Sequence, residues 1–168
     1  MKGSVKFIVY NRITGEVLNV EEDHNVVVLS GMDEMLRAFT QPLATGNINN
    51  HIVRTFKIGS DIGNGTEMEP EEPDWEYDGT EQEVLYATPD GALSFTSVED
   101  QEVTVIGTIE GFEVLNQNPG NSQVEYFSIG MYTGNGTLVA YRRFPERIIT
   151  EVVNVRVEWT IGFDDCGA

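Results

Sequence analysis

Two histidines, one cysteine and 28 carboxylates are the groups this chain offers for chemistry, and their spacing decides what they can do. His24 and His51 lie 27 residues apart, in neither a His-x-x-x-His nor a Cys-x-x-Cys setting, which argues against a histidine-based zinc site. Both read as loop residues flanking strands. Cys166 stands alone, so no internal disulfide can form. No Gly-x-Ser-x-Gly elbow or Walker loop is present. Ile58 to Gly65 is glycine-rich, but it leads into acids and prolines instead of a helix whose N-terminus could hold phosphate. A pair of carboxylates could hydrolyse a glycosidic bond. Here most acids crowd one polar run, and nothing singles out one with a raised pKa, so no catalytic residue is assigned. Hard cations favour oxygen donors, and Asp61, Asn64 and Glu67 supply them around Gly63 and Gly65. Calcium is the one cofactor this leaves open, although the spacing is not that of an EF-hand.

The charge balance narrows the partners. Ten basic residues against 28 acidic ones give a formal net charge of −18. Such a chain repels a phosphate backbone and an anionic membrane surface, so neither nucleic acid nor membrane is expected as a partner. No stretch approaches the roughly 20 apolar residues of a membrane-spanning helix. The N-terminal residues run straight into a strand-like segment without the apolar core of a signal peptide, so folding in the cytoplasm is expected.

The 168 residues suit one domain with a real core. Val5–Tyr10 and Glu16–Val20 flank a turn and read as an N-terminal hairpin over residues 4–20. Asn25–Leu29 is a short apolar strand. Met32, Met35, Leu36 and Phe39 then recur at helical spacing, which predicts one short α-helix over 31–39, ending before Pro42. Residues 52–58 read as a strand. From Asp61 to Glu83 there are ten acids and no Lys or Arg, with Pro70, Pro73 and glycines, so residues 61–83 form a long acidic loop inserted in the domain. Trp75 and Tyr77 are its packing or contact residues.

Further strands are expected at 92–98, 102–110, 124–132, 137–143 and 148–163. The last alternates Val153, Val155, Val157, Trp159, Ile161 and Phe163 with polar residues and Gly162, which means one buried and one wet face. Thr133-Gly134-Asn135-Gly136 is a hairpin turn. The fold expected is a mainly β, antiparallel β-sandwich or small barrel, in a single domain over 1–168. Its apolar sheet faces should meet partners and leave no pocket where protons or electrons are exchanged.

The order of features adds a resemblance. Asn25-Val26-Val27-Val28 leads into the helix, and Phe56-Lys57-Ile58-Gly59 ends a strand. Glu125 to Tyr132 precede Gly136 to Phe144, and Val155 to Phe163 close the sequence of strands. Over roughly residues 24–163 this resembles small virion structural proteins of tailed bacteriophages, known as tail, collar, fibre-associated or minor head proteins. Ser128-Ile129 and Tyr141 depart from the pattern, where an acid and an arginine would be expected. The resemblance implies a non-enzymatic part made in the host cytoplasm and located in the virion. Such a part assembles as a homo-oligomer in the tail, baseplate or fibre-attachment region, with copies of itself and other virion proteins as partners. A capsid-decorating protein is the close alternative. From another class, a calcium-dependent module binding carbohydrate or protein would use Trp75 and Tyr77 as its stacking platform. Because cations are so scarce, Arg142, Arg143 and Arg147 are expected to make assembly contacts with an acidic surface, such as the loop of a neighbouring copy.

Overall fold

The computed structural model describes residues 2–24, 26, 27, 29–40, 50–60 and 84–162. In chain order the elements begin with β1 (Lys2–Asn11), β2 (Val17–His24), β3 (Val26–Val27), α1 (Leu29–Thr40) and β4 (Val53–Gly59). They continue with β5 (Val84–Ala87), β6 (Ser94–Phe95), β7 (Glu102–Glu110), α2 (Gly111–Gln117), β8 (Gln123–Thr133), β9 (Leu138–Thr150) and β10 (Val153–Gly162). The acidic segment 61–83 lies outside the described residues.

Among the described residues the strands form two five-stranded sheets, ordered β2-β1-β10-β7-β6 and β3-β9-β8-β4-β5, with every pairing antiparallel. Their inner faces share one core, which makes the domain a β-sandwich. Period-two alternation carries it: Val155, Val157, Trp159 and Ile161 of β10 are buried while Arg156 is exposed. Trp159, fully buried, packs on Phe56 of the opposite sheet with ring centroids 5.8 Å apart. At the β1 side, Phe144 takes Phe7 and Tyr126 edge-on at 5.7 and 5.5 Å, the arrangement ring quadrupoles favour.

The N-terminal hairpin forms as expected. The Asn11 carboxamide accepts hydrogen bonds from the amides of Ile13 and Thr14 at 2.9 and 3.1 Å, and Gly15 takes the positive φ of 75° that closes the turn. At the second hairpin only Gly136 adopts positive φ, and Asn135 is not needed for that role.

Four expectations are corrected. The helix starts at Leu29, two residues before the expected 31, so β3 is only two residues long. Residues 92–98 contribute only Ser94–Phe95 to a sheet. Ile148–Thr150 do not open the last strand. They end β9, with Ile148 opposite Glu125, and Pro145 is accommodated where the β8–β9 register shifts between Tyr126 and Ser128. Finally, a second helix exists. α2 has seven residues and no side-chain cap, and it docks across the end of the sandwich with Val114 fully buried.

Candidate functional site

Sheet edges are where a β-sandwich can grow, because an edge strand keeps one row of backbone donors and acceptors unpaired. Among the described residues three of the four edges are short: β3 and β6 have two residues each and β5 has four. β2 has eight, and every residue in it except Glu21 is exposed. Val17, Leu18 and Val20 are 55, 52 and 50% exposed, and Ile13 in the preceding turn is 70% exposed. Val20 lies opposite Ile8 and Val17 opposite Tyr10, so the strand continues an apolar strip on the outer face of its sheet. Its other half, Glu21-Glu22-Asp23, is acidic.

Two of those acids are neutralised from within. Arg142 of β9 donates to the Asp23 carboxylate, and Arg147 pairs with Glu21. The Arg147 guanidinium also lies 5.2 Å from the Phe7 ring centroid and 4.5 Å from that of Phe144, a cation–π seat that fixes it over the core. Burial there pushes the Tyr126 hydroxyl up to about 12. Of the three arginines singled out by scarcity, Arg142 and Arg147 are thus brought together, and their acidic partner is β2 of the same chain. Arg142 is only 8% exposed. Arg143 pairs through its backbone with Ser128, and its side chain is outside the described residues. Trp75, Tyr77 and the calcium candidates Asp61, Asn64 and Glu67 also lie outside them. Among the described residues no group of three or more His, Cys, Asp or Glu could hold a metal ion.

Arg142 and Arg147 therefore clamp the hairpin to the opposite sheet and cancel charge along one half of β2. What remains uncovered is its apolar half.

No family model, curated protein or solved structure matches this chain.

A second constellation escaped the sequence reading. Gly31, Glu34, Met35 and Ala38 share one face of α1 at helical spacing and line a cavity of about 520 Å³. Glu34 is a carboxylate on that apolar face, with 1% of its side chain exposed. It accepts hydrogen bonds from Arg37 Nη1 at 2.7 Å and from His51 Nδ1 at 2.9 Å. Burial pushes its pKa up, but the His51 and Arg37 hydrogen bonds outweigh this and hold it below the usual carboxylate range. The same cavity is lined by His51, so the sandwich does hold a pocket beside a titratable pair. His51 does flank a strand, as expected, yet its ring is largely buried. The legible signal was Glu34 itself, an acid among the buried positions of an amphipathic helix.

The sign of the shift gives a test. A carboxylate with a lowered folded pKa stabilises the fold above its unfolded value, and loses that contribution as pH falls through the folded value. Glu34→Gln should cost about 1.5–3 kcal/mol at pH 7, as charged hydrogen bonds do. The difference from wild type should shrink progressively as pH falls below the usual carboxylate range, as urea denaturation across a pH series will measure.

Proposed function

We propose that this protein is a non-enzymatic structural component that assembles with copies of itself through the β2 edge. The observation that carries the proposal is the eight-residue edge strand, exposed along nearly its whole length and apolar over Val17, Leu18 and Val20. An antiparallel pairing of two copies about Val20 would add a strand across the interface. It would bring Leu18 opposite Glu22 and Asn19 opposite Glu21, so that no carboxylate directly faces another. A register centred on Glu22 would oppose acids and is disfavoured. The acidic half of the strand thereby selects one pairing and discourages open-ended growth.

The setting we propose is the virion of a tailed bacteriophage, in the tail, baseplate or fibre-attachment region. The sequence resemblance over residues 24–163 supports it, and the acidic charge suits a part that must stay soluble until assembled. The lining of the cavity favours binding over reaction. Glu34 is already engaged by two donors, and no Ser, Thr, Cys or Lys is among the described residues lining it.

Light scattering of the purified chain tests this. Wild type should give a discrete oligomeric mass, and Val20→Lys should give a monomer with an unchanged circular dichroism spectrum. A wild-type chain that is monomeric at every concentration would overturn the proposal.

A further inference from the structure

At the opposite edge of the β1-containing sheet from β2, the sandwich opens into the cavity beside Glu34. Its walls are Met35 and Ala38 of α1, Ile52 before β4, Val103 and Val105 of β7, and Ile161 of β10. A volume of about 520 Å³ lies within the range of roughly 300–1,000 Å³ typical of small-molecule sites. Most of the described lining residues are apolar, and apolar cavity walls take apolar guests. At the mouth, Phe95 is 52% and Val98 72% exposed, apolar surface that an occupant would cover.

The polar end specifies the head group. Glu34 accepts the Nδ1 proton of His51, and in the neutral form of the ring that contact leaves Nε2 as an acceptor. Glu34 itself is engaged by two donors. Gln101 and Glu102 add a polar rim, and the Glu102 carboxylate disfavours an anion. From this geometry we infer that the cavity binds a small apolar molecule bearing one hydrogen-bond-donating head, a hydroxyl or amine, which His51 Nε2 accepts. The site is separate from β2, so ligand binding and assembly can coexist.

Calorimetric titration with 1-naphthol and with its methyl ether, 1-methoxynaphthalene, tests this on the full chain. Both should bind at one site, with the hydroxyl compound about three- to tenfold tighter, the worth of one net hydrogen bond. His51→Phe keeps the apolar wall and should erase that preference. Ala38→Phe fills the cavity and should abolish binding of both. If either variant fails to fold, methyl resonances of Met35 and Ile161 in the wild-type chain should shift on titration with 1-naphthol. Absence of saturable binding, a preference that survives in His51→Phe, or methyl shifts only at other sites would overturn the inference. So would loss of binding as the chain oligomerises, which would assign the cavity to a second copy.

Discussion

Trp159→Ala is expected to lower the unfolding free energy by about 3–5 kcal/mol, a large fraction of the roughly 5–15 kcal/mol that holds a domain of this size. The indole is fully buried at the middle of β10, between Val5 of β1 and Val105 of β7 in the register, and it faces Phe56 across the core. Truncation would leave a cavity at the contact that joins the two sheets, where neighbours on hydrogen-bonded strands can relax only partly. Its Nε1 is buried with no hydrogen-bond partner among the described residues. That predicts an asymmetry between substitutions. Trp159→Phe removes an unsatisfied donor along with some volume, so its cost should stay well below that of Trp159→Ala, at about 1–2 kcal/mol. Equilibrium urea unfolding of the two variants beside wild type measures both. Equal losses would mean that the indole nitrogen has a partner and that the core contact is not what matters.

Gly111→Ala reverses the ordinary rule. Alanine in a helix normally exceeds glycine in stability by about 0.5–1 kcal/mol. At Gly111 a Cβ would lie 2.0 Å from the carbonyl oxygen of Thr150 and 2.2 Å from that of Val153. Both are backbone atoms at the β9–β10 turn, and real Cβ atoms essentially never come within 3.0 Å of such neighbours. The Gly111 amide also donates to Asn154 Oδ1 at 3.1 Å, which holds the helix start down on the turn. The helix would have to lift, withdrawing Val114 from the core, at a cost of about 3 kcal/mol or more. Gln117→Ala, on the exposed end of the same helix, should change stability by no more than about 0.5 kcal/mol. A Gly111→Ala protein as stable as wild type would mean that α2 does not dock as described.

These residues also show where sequence reading reaches and where it stops. β7 was legible end to end because Glu102–Glu110 is an unbroken β-rich run, and β10 because its alternation persists through Ile161. The division between β9 and β10 was hidden, since the turn at Glu151-Val152 contains none of the Gly, Pro, Asn or Asp that mark turns. α2 was hidden for a different reason. It begins with glycine, lacks a capping side chain and is too short to show a period, so tertiary packing alone makes it a helix. At the candidate site, scarcity pointed to Arg142 and Arg147, but their partners lie 119 and 126 positions away in sequence, a distance only the fold spans. Glu34 and His51 meet across 17 residues by the same means.

Assembly through β2 is tested most directly by hydrogen exchange at the amides of Val17–Val20 that point away from β1. If two copies pair along this edge, those amides should be protected in concentrated wild-type protein, and should exchange at free-strand rates on dilution or in Val20→Lys. Fast exchange at the same rate across all concentrations, in a sample whose mass nonetheless reports an oligomer, would show that the copies meet elsewhere and contradict the account.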